Sequence, residues 1–244
     1  MIIVKGEKKE ADKSLKARFY NTFVEDNRWE YIPKGLLNTV IITVLAGIIG
    51  IVLGFVIAII RVAHDRSGEG GVLLAFFNWL AKVYLTVFRG TPVMVQLLIM
   101  YYVVFGSLKV NPIFAAVIAF GLNSAAYVAE AIRSGIVAIE IGQFEAGRSL
   151  GFTYTQTMWN IILPQAIKNS LPAMCNEFIS LLKESSIVGY IGLIDLTKSG
   201  DIIRSTTFEA MLPLVSVALV YLAIVMVMTA GVNRLERRLK KDAR

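Results

Sequence analysis

Residues Leu36 to Ile60 form a run of 25 side chains without a single charge. Wound as an α-helix, that run is about 37 Å long, more than the roughly 30 Å hydrocarbon core of a bilayer. A helix is the form it must take there, because lipid offers no partners to an open backbone. Further apolar stretches follow along the chain. The pattern predicts an all-α polytopic membrane protein with five transmembrane helices, at about 36–60, 91–105, 112–132, 171–194 and 212–232, with a helical approach over 72–88 leading into the second. A hydrophobic fraction of 56% and a charged fraction of 18% fit this class, against roughly 45–50% and 25% for soluble chains. No compositional break divides residues 35–232, so they read as one domain. A polar segment, 1–34, precedes it and a basic tail, 233–244, follows.

The formal charge of +7 is spread over loop ends and the tail rather than gathered in a patch. That distribution suits membrane orientation and argues against a nucleic-acid partner. With five spans and the 140–164 loop inside, the inner side collects Arg61, Arg66, Lys82, Arg89, Arg133, Arg148, Lys168 and a tail holding Arg234, Arg237, Arg238, Lys240, Lys241 and Arg244. The outer loops hold Lys109, Lys198 and Arg204, although the basic N-terminal segment runs against the bias. Lys82 near the middle of 72–88 argues against a sixth span. A single Cys175 precludes an internal disulfide and is expected as a packed thiol, and a single His64 is expected in a solvated loop. Together they cannot make a metal site of the usual ligand count. No G-x-x-x-x-G-K-[ST] occurs, so the chain does not itself hold ATP. Nor does His64 have an evident nucleophile beside it, which leaves an intramembrane enzyme without a mechanism.

Local patterns refine this outline. Leu15, Phe19 and Phe23 recur every four residues, with Trp29 and Tyr31 beyond, a pattern that fits an amphipathic segment at the membrane surface, with a partly disordered tail as the alternative. Ala46, Gly50, Gly54 and Ala58 form a small-residue stripe on which another helix can approach closely. Arg89-Gly90-Thr91-Pro92 interrupts an apolar stretch, and Pro92 biases Thr91 away from helix.

Polar groups inside a span are costly and tend to face a water-filled interior. Asn123, Tyr127 and Glu130 share one helical face, with Arg133 placed to pair with Glu130. Asn176, Ser180 and Glu184 share a second, flanked by Glu177, Lys183 and Ser185, and Gln96 adds a third contribution. These residues are the expected substrate path, and charges of both signs among them suit a zwitterion. Interhelical hydrogen bonds and internal ion pairs are the alternative use of the same groups.

The stretch 140–164 is polar and glycine-containing between apolar segments. Gln143 to Leu150 can form two helical turns that Gly151 ends. Phe144 and Leu150 offer apolar anchors, Glu145 and Arg148 offer charge, and Gly147 and Gly151 allow another surface to come close. Glu145-Ala146-Gly147, then Gly151 after three residues, then Ile161-x-Leu163-Pro164 after nine more, resembles the EAA loop of ABC-transporter permeases, with Gly147 where a third alanine is usual. FRGTPVMVQL, LNSAAYVAEAIRSGI, GQFEAGRSLG, ILPQAIKNSLPA and NEFISLLKESSIV resemble successive blocks of the polar amino-acid uptake permeases. The resemblance covers about Gly35 to Val232 and leaves out the long polar N-terminus.

This resemblance implies the five-helix core of a type I ABC importer permease in the bacterial cytoplasmic membrane. It implies that the loop is a coupling helix, with Glu145, Ala146, Gly147 and Gly151 in contact with an ATPase subunit. Two such ATPases would carry ATP and magnesium, none of it bound by this chain. A second permease copy or paralogue and an extracytoplasmic amino-acid-binding protein would complete the assembly, surrounded by lipid. An ABC permease for another small solute is the nearest competing reading. A secondary transporter would call for internal repeats, which the sequence does not show.

Overall fold

The computed structural model describes residues 15–66 and 71–241, and every regular element among them is helical. Residues 1–14 of the polar segment, Gly68 and Gly70 of the first loop and Arg244 of the tail lie outside the described residues. The elements run as α1 (Leu15–Phe19), α2 (Tyr31–Arg66), α3 (Val72–Gly90), α4 (Val93–Leu98), α5 (Pro112–Val137), α6 (Ile141–Ser149), α7 (Tyr154–Thr157), α8 (Leu163–Glu184), α9 (Leu196–Thr207) and α10 (Met211–Lys241). Wider helical turns extend α1 through Val24 and α4 through Val104, and join α7 to α8.

Four helices among the described residues are long and apolar enough to cross a membrane: α2, α3, α5 and α10. The approach expected over 72–88 is therefore itself an unbroken helix of crossing length. Lys82 does not interrupt it, because its side chain lies on the exposed face of α3. The segment expected to span 91–105 is the shorter apolar helix 93–104, set off from α3 by extended backbone at Thr91 and Pro92. The expected fourth span begins earlier, at Leu163, and is too polar to qualify by composition. His64 lies on the last turn of α2 rather than in a loop, and Cys175 is half-buried in α8 rather than fully packed.

Packing of α2 on α5 forms the centre of the fold. A Cβ at Gly50 would lie 2.8 Å from the Ser124 hydroxyl, and one at Gly54 would lie 2.9 Å from the Ala125 carbonyl. From the other side, a Cβ at Gly121 would sit 2.8 Å from an Ile49 methyl. The two backbones thus touch along the small-residue stripe, and Ala46 and Ala58 at its ends are fully buried. Between lipid-embedded helices this contact is held by dispersion forces, since burial from lipid brings little hydrophobic gain. One apolar cluster, with Ile42, Leu97, Phe120 and Leu181, fills one end of the bundle. A second, with Ala58, Val62, Ile132, Ile136, Phe144 and Ile162, fills the end that carries α6.

At the opposite end, α9 closes the bundle. Asp195 is fully buried and caps α9, accepting from the amides of Thr197 at 3.0 Å and Lys198 at 2.9 Å. Thr39 of α2 accepts from the Leu196 amide at 3.1 Å, and Gly35 leaves no room for a Cβ against Ser199 and the Asp195 carbonyl. Burial pushes the Asp195 carboxyl above the usual range, opposed by the amides it binds. The N-terminal helix also docks here. Phe23 and Thr22 are buried, and Arg18 grips Glu209 at 2.6 and 3.0 Å, holding that carboxyl below the usual range. The described part of the segment is helical from Leu15 through Val24, with Phe23 packed into the protein while Leu15 and Phe19 stay exposed.

A carboxyl whose folded pKa is raised favours folding most when protonated, so its contribution falls as pH rises through that pKa. Asp195→Asn keeps an oxygen for the α9 amides and removes the buried charge. It should melt at or above the parent temperature at neutral pH. Asp195→Ala also loses the cap and should cost about 1–2 kcal/mol. Thermal melts of the purified protein at pH 5 and pH 8 compare the three.

Candidate coupling helix and polar path

α6 is a two-turn helix with a defined stop. Its last turn closes on Gly151, whose φ of +82° suits glycine. The Phe152 amide donates to the Gly147 carbonyl at 3.1 Å and the Gly151 amide to that of Arg148 at 2.9 Å, so these two carbonyls of the last turn find partners as the chain reverses. Two residues on, Thr153 and Gln156 cap α7 reciprocally. The loop is therefore tied together by its own hydrogen bonds although it faces outward.

Its two faces differ. Phe144 enters the cluster formed by Val62, Ile136, Met158 and Ile162 and fixes α6 to the feet of α2, α5 and α8. Gly147 is buried, and a Cβ there would lie 2.7 Å from the Thr157 methyl and 3.2 Å from Ile161. The close approach expected at Gly147 is thus made to this chain's own Thr157 rather than kept open. Gly151 has nothing near its missing Cβ; its backbone angle is what calls for glycine. Glu145, Ala146 and Arg148 are exposed, flanked by Ile141 at 67% and Leu150 at 75% exposure. Leu150 is not an internal anchor.

The polar residues of the bundle fall into three groups. Gln96 donates to the Phe88 carbonyl at 2.9 Å, the Thr91 carbonyl at 3.1 Å and the Thr91 hydroxyl at 2.8 Å. Its own oxygen accepts from buried Asn123 at 2.9 Å, and Asn123 also reaches the Phe88 carbonyl at 3.3 Å. Together they satisfy carbonyls freed by the Arg89–Pro92 break, which inside a membrane must find partners. Nearby, Glu130 binds Arg133 at 2.6 Å and Arg89 at 3.7 Å, while Arg89 lies 5.8 Å from the centre of the Tyr127 ring. A cavity of about 380 Å³ joins Arg89, Tyr127 and Glu130 to Asn169 and Ser170 of α8.

The third group is on α8. Asn176 and Lys183 are exposed, and Ser180 is half-buried. Glu177 is half-buried near Ser124 and Glu184. The inner oxygen of Glu184 is buried with no hydrogen-bond partner among the described residues. Ser185 is fully buried and donates to the Leu182 carbonyl at 2.8 Å, which commits it to ending the helix. Arg89, Asn169, Ser170 and Ser124 were not singled out from the sequence as path residues. For Arg89 the signal was its place beside the Gly-Thr-Pro break. Among the described residues no cluster of His, Cys, Asp or Glu could hold a metal ion.

Comparison with known proteins gives a consistent result. Residues 70–241 match the family described as binding-protein-dependent transport system inner membrane component. The arginine transport system permease protein ArtQ of Bacillus subtilis (strain 168) is 40% identical over 214 residues, covering 87% of this chain and 94% of its own. A putative glutamine transport system permease protein GlnP of Rickettsia bellii (strain RML369-C) is 38% identical over 86% of this chain and 93% of its own. Among solved structures, an amino acid ABC transporter crystallised with histidines shares 41% identity at a TM-score of 0.76, covering 86% of this chain and 94% of that one. The inward-facing MetNI methionine ABC transporter, at 20% identity, 86% and 97% coverage and a TM-score of 0.73, shares the fold.

Gly147→Ala should loosen α6 by about 1–3 kcal/mol, the usual cost of forcing a methyl into a packed site. Adding Thr157→Ala should restore most of it, because the two nearest crowding atoms belong to that side chain and the third is the flexible end of Ile161. Proteolysis rates at the 140–154 loop in the single and double variants test the pairing.

Proposed function

This chain belongs to the binding-protein-dependent transport system inner membrane component family, and on that premise we propose that it moves a polar or charged amino acid into the bacterial cytoplasm. It is an ABC-transporter permease, a transport component rather than an enzyme. The amino-acid assignment rests on relatives near 40% identity across almost their whole length, named for arginine and glutamine transport. In this reading ATP and magnesium reside on two partner ATPases, and a binding protein delivers the substrate on the outer side. A second permease, identical or paralogous, completes the pathway.

One observation carries the coupling proposal: α6 is fastened to the bundle by one face and presents the other, with Glu145, Ala146, Ile141 and Leu150, to solvent. Such a helix can receive a push from an ATPase groove and pass it through Phe144 to α2, α5 and α8. Gly147 serves the contact indirectly, by letting α6 seat on Thr157. Gly151 serves it by ending the helix.

For the substrate, Glu184 is the strongest candidate in the bundle, since its buried oxygen has no hydrogen-bond partner among the described residues. Glu177 stands two turns before it on the same face. These carboxylates suit an ammonium or guanidinium group, and exposed Lys183 suits a carboxylate. Gln96, Asn123 and Ser185 shape the path by holding backbone in place.

Glu145→Arg changes an exposed side chain and should leave membrane insertion and melting unaltered while reducing ATP-driven uptake at least tenfold. Unimpaired uptake would remove Glu145 from the ATPase contact. Glu184→Gln should raise the KM for uptake of a cationic or polar amino acid without changing the amount of assembled complex. An unchanged KM and selectivity would return Glu184 to a packing role.

A further inference from the structure

A second cavity, of about 510 Å³, opens between α2, α3 and α5 and is lined by Arg61, Lys82, Thr86, Arg89 and Glu130. Three cations face a single carboxylate there, and that carboxylate is already bound by Arg133 at 2.6 Å and Arg89 at 3.7 Å. Arg61 reaches Asn78 at 3.4 Å and feels the Glu130 charge that it shares with Arg133 and Arg89, and its Nε is buried with no hydrogen-bond partner among the described residues. Lys82 donates no hydrogen bond and makes no ion pair among them, and its side chain is exposed. Such a cavity holds unspent positive charge next to a membrane.

Helical spacing places Lys82, Thr86 and Arg89 on one face of α3, adjoining a face with Trp79, Val83 and Val87. Trp79 is 57% exposed and Val87 50%, so a cationic stripe borders an open apolar one. A free anion would use only the first stripe. A phospholipid uses both, with its phosphate among the cations and an acyl chain along the apolar side chains. Arg61 lies five residues before the end of α2, on the half of the bundle that carries α6. That is the side on which the basic-residue bias places the cytoplasm, and basic pockets between helices there suit anionic headgroups.

We infer that the Arg61–Lys82–Arg89 cavity is a binding site for an anionic phospholipid headgroup. The site is distinct from the α8 carboxylates and does not depend on which solute is carried.

The test uses the purified transporter complex loaded with equal amounts of phosphatidylglycerol and phosphatidylcholine, with bound lipid read by native mass spectrometry. Phosphatidylglycerol should be retained in preference, and an excess of inorganic phosphate should not displace it. Lys82→Gln should lower retention about fivefold, the effect of one surface cation, and Arg61→Gln should lower it further. Lys168→Gln, an exposed lysine on α8, should leave it unchanged. Equal retention of the two lipids would overturn the inference. So would displacement by inorganic phosphate, which marks a free-anion site, or an equal loss in the Lys168→Gln variant, which marks general surface charge.

Discussion

Backbone contact between α2 and α5 is the constraint on which the rest of this structure depends. Lipid gives two apolar helices little reason to associate, so they hold by surface fit. Gly50 and Gly54 on one side and Gly121 on the other remove the side chains that would keep the helices apart. Once these helices touch, Ser124 and Ala125 are buried at their crossing, and α3, α8 and α9 pack around the pair. At one end the resulting frame receives Asp195 and the α9 cap. At the other it receives Phe144 and α6.

A permease must combine a frame of this kind with irregular backbone at the pathway, and irregular backbone in a membrane needs partners. Gln96 and Asn123 supply them at the Arg89–Pro92 break, and Ser185 does so at the end of α8. These polar residues stabilise the bends in the backbone. Glu184 differs, because its buried oxygen has no hydrogen-bond partner among the described residues.

Much of this was legible in the sequence because the signals are local. The charge-free run at 36–60, the small-residue stripe and the glycine that ends α6 each follow from spacing along one helix. The break at Thr91-Pro92 follows from proline sterics. What was not legible depends on distant partners. Gln96 and Asn123 look alike whether they meet a substrate or the Phe88 carbonyl, and only the fold brings them together. Gly147 suggests room for another surface, yet the room is taken by Thr157, ten residues on. Lys82 argues from sequence against a span over 72–88, whereas in the fold its side chain lies on the exposed face of α3. The Arg18–Glu209 pair joins residues 191 apart, beyond any local pattern.

The central claim is that α6 is the surface through which an ATPase drives this bundle. The most direct test is affinity purification of the tagged chain from its native membrane, followed by identification of bound proteins. The account predicts that a P-loop ATPase co-purifies, and that altering the exposed face of α6 at Glu145 and Ala146 releases it while a second permease remains bound. A chain that purifies without an ATPase and still transports its solute into vesicles lacking ATP would contradict it.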